Sequence, residues 1–435
     1  MSPIAAGLVG TVVAFLLLFL GMPIACALML VGFLGLSYLA SMGAALPVAA
    51  STIYHTAAYY PYTVISLFIV MGGFASSGGL VGELYGTFDK WFRRLPGGLG
   101  VATIGACAGF AAVSGSSVAT AAAMGTIALP EMKRFNYSPR LATGTIAAGG
   151  TLAFLIPPSI GFVVYGMLTE QSIGKLLISG VFPGIILSLA YIAIVISQVK
   201  LNPSLAPVSP EAVSWKERLL ALRGIWETLL VFILVMGGIY LGWFTPTEAG
   251  AMGATTLFLV ALAKRKLTWG NMFASLQEAV RVSAMVLFLV AGATVFSYFL
   301  ALSTIPAELA TWVAGLEVSR YVILILILAI YIFLGCFIDA ISMMVLTLPV
   351  IFPLILSLDF DPIWFGVIAV LMMEAGLITP PMGLNVYTIA GAAKDTPVEE
   401  IFRGALPFLI AIAVVTAIVT AFPQIALFLP GRMLW

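Results

Sequence analysis

Charge is what this chain has least of, and its absence is uneven. Of 435 residues 9% are charged and 62% are hydrophobic, and no Asp, Glu, Lys or Arg precedes Glu83. A soluble domain carries about 25% charged residues, so the composition is that of an integral membrane protein. The first basic residue is Lys90, leaving no basic n-region of a secretory leader. Residues 4–20 are therefore expected to be a retained spanning helix. Histidine is nearly missing too. His55 stands alone, which excludes a multi-histidine metal centre, and its neighbours Tyr54, Tyr59 and Tyr60 suit a membrane interface. Cys26, Cys107 and Cys336 are far apart in apolar contexts and read as small buried side chains, not as a disulfide or a metal site. There is no G-x-x-x-x-G-K-[ST] and no H-E-x-x-H, and no segment is long enough for a soluble catalytic domain. A net charge of +1 gives no reason to expect nucleic acid as a partner.

Apolar segments fall near 4–20, 22–40, 64–82, 98–130, 141–168, 176–198, 226–244, 247–263, 278–302, 321–357, 363–393 and 404–429. About 20 apolar residues span a bilayer, so the bilayer itself is the main surrounding and the fold class is all-α, with about 10–12 transmembrane segments. Lys and Arg cluster in the connections 90–94, 131–140, 200–223 and 264–266, which the positive-inside rule places together in the cytoplasm. Parity then constrains the path. Segment 98–130 must enter and leave by one face, with Ser114-Gly115-Ser116-Ser117 as the turn of a re-entrant helical hairpin. Such backbone survives only where protein or a wet cavity covers it. The hairpin 321–357 must open from the opposite side, returning at the acidic Asp359-Phe360-Asp361.

Two Pro-Pro pairs tie these halves together. The offset, 380 minus 157, is 223; it carries Pro157-Pro158 onto Pro380-Pro381, Pro130 onto Pro353, and Ser114–Ser117 onto Phe337–Ala340. Two inverted repeats follow, each with a hairpin and a broken helix. This pattern marks a solute site near mid-membrane. A passive channel is less favoured, since oppositely oriented half-helix hairpins suit a moving barrier. Hairpin tips expose carbonyls at one half-helix end and amide hydrogens at the next; the former suit a small hard cation, the latter a carboxylate. Proline removes donors and frees carbonyls one turn back. The first candidate site is thus Ser114–Ser117 facing Ala153, Ile156 and Pro158, and the second is Phe337, Asp339 and Ala340 facing Gly376, Thr379 and Pro381. Close helix packing by small residues is the alternative for the first. Asp339 either serves the site, as an ionisable group in an apolar segment, or caps a half-helix. Glu374 either borders the site or holds a helix contact.

Other features are structural. Thr245-Pro246-Thr247-Glu248 reads as a helix start, although a functional role is open. Arg281 is placed to snorkel near the inner interface, with pairing to an anionic substrate as the weaker alternative. The stretch 198–224, with Pro203, Pro207 and Pro210 before Trp215-Lys216-Glu217-Arg218, is a cytoplasmic linker with an amphipathic surface helix. Ala112-Val113-Ser114-Gly115 is superficially like the serine motif of intramembrane rhomboid proteases. However, the glycine two residues before the serine is missing and no histidine follows, so an intramembrane enzyme is only a remote alternative.

Four motifs in combination carry a family resemblance over essentially the full chain: Gly115-Ser116-Ser117-Val118-Ala119-Thr120, Ile156-Pro157-Pro158-Ser159, Phe244-Thr245-Pro246-Thr247-Glu248-Ala249, and Gly376-Leu377-Ile378-Thr379-Pro380-Pro381-Met382-Gly383-Leu384-Asn385. The sequence resembles the large membrane subunit, of the DctM type, of TRAP (tripartite ATP-independent periplasmic) transporters in the ion transporter superfamily. The resemblance implies import of an organic acid, such as a C4-dicarboxylate or sialic acid, through the bacterial inner membrane by an elevator movement. Sodium is the coupling ion and no cofactor is expected. The implied partners are a periplasmic substrate-binding protein and a small membrane subunit, which is expected as a separate chain because no extra four-helix block is present. One sodium site is implied at Ser114, Ser116, Ala153, Ile156 and Pro158, and the other at Phe337, Asp339, Gly376, Thr379 and Pro381. Substrate is implied near Ser117, Thr379 and Asn385. The expected organisation is scaffold at 1–97, transport repeat 1 at 98–198, linker at 199–224, scaffold at 225–320 and transport repeat 2 at 321–429. A self-sufficient sodium–carboxylate symporter of the same broad fold is the alternative.

Overall fold

Prolines, glycines and short polar caps punctuate an otherwise continuous series of apolar helices. A computed structural model describes residues 1–207, 213–316 and 318–433, with no strand among them. Pro210 of the linker lies outside the described residues. The helices α1 (Pro3–Phe19), α2 (Ile24–Leu39), α3 (Met42–Ala58), α4 (Thr63–Ser77) and α5 (Leu80–Phe92) precede the first hairpin, α6 (Gly98–Ser114) and α7 (Ser117–Arg134). The first broken helix is α8 (Pro139–Leu155) and α9 (Ile160–Thr169), bent by 42°. Then come α10 (Ile173–Ser179), α11 (Val181–Leu201) and the linker helix α12 (Trp215–Ala221). Helix α13 (Trp226–Phe232) passes through a π turn at Ile233–Gly237 into α14 (Gly238–Tyr240). Next are α15 (Pro246–Ala263), α16 (Trp269–Leu302) and α17 (Ile305–Ala314). The second hairpin is α18 (Arg320–Gly335) and α19 (Ala340–Ser357); the second broken helix is α20 (Pro362–Gly376) and α21 (Leu384–Ala392). Helices α22 (Val398–Ala421) and α23 (Gln424–Leu427) close the chain.

Five of these helices are individually long and apolar enough to cross a membrane, two bent pairs qualify as units, and five shorter apolar helices join them. Besides the linker helix α12, helices α3 and α17 lie outside the apolar runs read from sequence. In α3 the apolar pattern is diluted by Pro47, Ser51, Thr52, His55 and Thr56, and α17 is only 10 residues long. The linker helix starts with a capping box, Ser214 Oγ receiving the Glu217 N–H while Glu217 reaches back to Ser214. Thr245 and Glu248 form the same box at α15. Close packing joins the repeats: a Cβ on Gly404 of α22 would overlap the Arg140 carbonyl and approach the backbone of Gly144 on α8.

Contacts sort the connections into two ends. At one, Ser138 N–H donates to Leu205 O (2.8 Å), Trp91 Nε1 to Arg218 O (3.1 Å), and Arg93 lies over the Phe135 ring. Lys264 Nζ there bridges Glu83 and Glu227, each at 2.5 Å. All four basic connections therefore share one end. At the other end Tyr165 Oη, near the close of α9, donates to Pro362 O at the start of α20 (2.7 Å). Lys133 then pairs with Asp395 beyond α21, back at the basic end. The first hairpin is rooted at the basic end and the second beside Arg320 and Asp359 at the opposite end. The two broken helices thus run in opposite senses, as the charge pattern requires.

Candidate functional site

Each hairpin tip sits against the Pro-Pro break of its own repeat. In the first, α6 ends at Gly115, whose φ of +63° belongs to the left-handed region that favours glycine. A Cβ there would stand 2.6 Å from the Pro158 carbonyl, so the tip cannot be enlarged without moving the break. Gly115 O accepts from Ile160 N–H (3.3 Å), and the Ser114 and Thr120 hydroxyls share a hydrogen bond of 2.8 Å across the turn. In the second repeat, Cys336 O accepts from Met382 N–H (3.1 Å), and a Cβ on Gly376 would lie 2.6 Å from the Cα of Gly335. Both Pro-Pro bonds are cis.

The prolines remove four donors from the helix ladder one turn later. The carbonyls of Ala153, Phe154, Gly376 and Leu377 face positions 157, 158, 380 and 381, which have no N–H. Ser159 Oγ replaces the donor for Phe154, Thr379 N–H for Gly376 (3.2 Å) and Asn385 N–H for Leu377 (3.1 Å). For Ala153 no described group does so. A carbonyl without a described donor, in the same repeat as the Ser114 and Ser116 hydroxyls, is the kind of oxygen ligand a small hard cation takes.

The remaining candidates separate by exposure. Ser114, Ala153 and Pro158 are buried, with Ser116 and Ile156 partly so; Ile156 also lines an apolar groove with Pro157 and Phe232. Ser114 and Ser116 border a cavity of about 170 Å³ shared with Gly72 and Gly73 of α4 and with Ser275 and Glu278 of α16. In the second repeat Gly376 is buried, Asp339 and Thr379 are intermediate, and Phe337 and Pro381 are exposed. Asp339 Oδ1 accepts the Ser342 N–H (3.1 Å), which is the cap geometry, while Asp339 and Phe337 border a cavity of about 360 Å³ against the α1–α2 turn. Thr379 Oγ1 donates back to Ala375 O (2.6 Å). A cavity of about 720 Å³ is lined by His55, Thr56, Tyr62 and Glu170 at the end opposite the basic connections and shares no residue with either tip.

Ser117 and Asn385 are sealed in the protein. Asn385 Nδ2 donates to Ser117 Oγ (2.9 Å) and to Ala147 O (3.1 Å), and Ser117 Oγ donates to Glu374 Oε2 (3.0 Å). Asn385 and Glu374 have no exposed surface. Sequence reasoning left Glu374 between a site and a helix contact. The available signal was its alignment, at the 223-residue offset, with Thr151, a polar position that bonds Tyr191 Oη inside the first repeat (2.8 Å). Glu278 was not singled out, and only the fold brings it to the first tip; Thr120 stood only inside a longer motif and Gly335 was not named, although both lie within three residues of the tips in sequence. Arg281 is exposed on α16 and has no partner among the described residues.

Comparison with known proteins gives a consistent result. Residues 11–425 match the family model described as tripartite ATP-independent periplasmic transporter, DctM component. The chain is 36% identical to the C4-dicarboxylate TRAP transporter large permease protein DctM of Pseudomonas aeruginosa, over 87% of this chain and 88% of that protein. It is 31% identical to the sialic acid TRAP transporter large permease protein SiaM of Vibrio cholerae, over 98% and 99%. An isethionate TRAP transporter permease protein, DctMQ of Oleidesulfovibrio alaskensis, is 34% identical over 96% of this chain, which spans 65% of that longer protein. In fold, the chain is similar to the YdaH transporter of Alcanivorax borkumensis (TM-score 0.60, 15% identity, 88% and 90% covered). MtrF of Neisseria gonorrhoeae is also similar (TM-score 0.58, 12% identity, 96% and 95% covered).

Proposed function

This chain belongs to the DctM-component family of tripartite ATP-independent periplasmic transporters, and from that premise we propose that it is the large membrane subunit of a sodium-coupled, binding-protein-dependent importer of an organic acid. It is a multi-pass membrane transporter subunit and not an enzyme. The single observation that supports the finer reading is the paired geometry at the two breaks. Two hairpin tips, rooted at opposite ends, each rest on a Pro-Pro break where helical donors are missing. Oxygen-rich irregular backbone at that depth suits a cation and a carboxylate together. One sodium ion is assigned to Ser114, Ser116, Ala153, Ile156 and Pro158, and a second to Phe337, Asp339, Gly376, Thr379 and Pro381. The organic acid is assigned beside the second break near Thr379, with Ser117 and Asn385 supporting its pocket from behind.

The two repeats move as one block relative to the remaining helices, carrying the loaded site across the bacterial inner membrane in an elevator movement. The scaffold, chiefly 4–82 and 226–263, would hold a small membrane subunit, and a periplasmic binding protein would deliver the acid. C4-dicarboxylates and sialic acid are the substrate classes suggested by the names of relatives. The test is reconstitution in liposomes with candidate small subunits and binding proteins under an imposed sodium gradient. Concentrative uptake requiring both the gradient and the binding protein is expected. Uptake that persists without the gradient overturns sodium coupling, and uptake by the chain alone favours a self-sufficient sodium–carboxylate symporter.

A further inference from the structure

A buried polar connection among the described residues joins the two repeats, and it ends at both proposed sodium sites. Ser117 begins α7 immediately after Ser116 of the first tip. Glu374 lies two residues before Gly376 of the second site, and Asn385 stands just beyond the second Pro-Pro break. Asn385 reaches the Ala147 carbonyl of the first broken helix, so the three side chains touch α7, α8, α20 and α21. The two outer oxygens, Glu374 Oε1 and Asn385 Oδ1, have no partner among the described residues. Ser117 Oγ is therefore the one described link from Asn385 to Glu374: it accepts from the amide and donates to the carboxyl.

We propose that Glu374 is a positioning residue that couples the two sodium sites through the Ser117–Asn385 relay. The inference rests on the sodium-coupled reading above. An ion at the first tip fixes the Ser114–Ser117 turn and with it the direction of the Ser117 hydroxyl. That hydroxyl holds Glu374 at the end of α20, while the Asn385 amide holds the start of α21 against α8. The second break is then already ordered when its ion arrives. Ordering shared between two sites appears as positive cooperativity, and it is reciprocal. Buried hydrogen-bond chains transmit such constraints effectively because no water competes for their members.

The experiment compares wild type, Glu374→Gln and Glu374→Ala, in sodium-dependent uptake by proteoliposomes and in sodium-dependent thermal stabilisation in detergent. Glutamine still accepts the Ser117 hydroxyl; alanine does not. Wild type and Glu374→Gln are expected to give a Hill coefficient for sodium approaching ~2, the number of proposed sites. Glu374→Ala is expected to fall toward ~1 and to need about 5-fold or more sodium for half-maximal response, while the maximal rate falls less. Glu374→Leu, which fills the space without accepting, replaces the alanine variant should that fail to fold. A sodium-dependent protein with the same Hill coefficient in all variants overturns the coupling and leaves the proposed function standing. Loss of cooperativity in Glu374→Gln as great as in Glu374→Ala also overturns it. Sodium-independent uptake and stability in wild type removes both.

Discussion

The two Pro-Pro breaks have nearly the same local grammar and opposite surroundings. Pro157, Pro158 and Ser159 are all buried, packed under the first tip and beside α11; Pro380, Pro381 and Met382 are exposed. Phe337, at the second tip, keeps 42% of its surface, whereas Ser114 at the first keeps 4%. The difference shows that the broken-helix motif dictates a backbone path but not its access. Neighbouring helices decide access. The first junction is enclosed by α4, α6 and α11; the second is faced by the α1–α2 turn across an open cavity.

The largest expected effect comes from forcing the second junction apart. Gly376→Leu places a side chain where the Gly335 backbone already lies. It should cost about 1–3 kcal/mol or more by overpacking and abolish uptake; a thermal midpoint and uptake rate equal to wild type would remove the contact from the fold's essential set. Gly115→Ala tests the same logic at the sealed junction. It adds left-handed strain of about 1–2 kcal/mol to the close approach on Pro158, so it too should lower the midpoint.

A third test needs no mutation. Cys336 is partly exposed at the second tip, while Cys107 is wholly buried in the first hairpin. Under native conditions a small thiol reagent should label Cys336 at least ~10-fold faster, because Cys107 must wait for local opening. Mass spectrometry finding equal rates would erase the distinction between sealed and open junctions.

Smaller effects are expected at the hairpin roots. Near the first, Lys264 bridges Glu83 and the nearly buried Glu227. Lys264→Gln should cost about 1–3 kcal/mol at neutral pH, less than a wholly buried pair because Glu83 and Lys264 keep some solvent. Burial acts to raise the Glu83 carboxyl, but hydrogen bonds from Lys264 and Lys266 outweigh it and hold the pKa below the usual 4.5. A depressed folded-state value means this stabilisation is present above about pH 4.5 and fades as pH falls through the folded-state pKa. The midpoint gap between wild type and Lys264→Gln should therefore narrow on acidification; a gap that widens contradicts the ion-pair account. At the second root Arg320 meets, among the described residues, the Leu358 and Asp359 carbonyls, at 3.5 and 3.4 Å, and the Tyr321 and Phe360 rings. Arg320→Gln should cost less, about 0.5–1 kcal/mol.

Much of this was legible in the residues. The offset between Pro-Pro pairs located both breaks, and four basic connections gave the relative orientation of the hairpins because charge crosses a bilayer at high cost. Helix α3 was not legible, since its Pro47 and polar positions hide it from an apolar count. Asp339 was read as either a site residue or a cap; the fold shows cap geometry and places the same residue beside a cavity. Glu374 was harder. Sequence shows a carboxyl in an apolar run, but not which side chain 257 positions away will meet it.

By itself the sequence determined the medium, the helical class, the two interruptions and their inverted sense. Each follows from local chemistry: apolar length, missing proline donors and the sidedness of basic residues. Only the tertiary structure decided which break is sealed, which carbonyl keeps no donor, and that Ser117, Asn385 and Glu374 meet between the repeats. Those outcomes depend on packing among helices far apart in the chain, where a partner's position is fixed by the whole bundle and not by neighbouring residues.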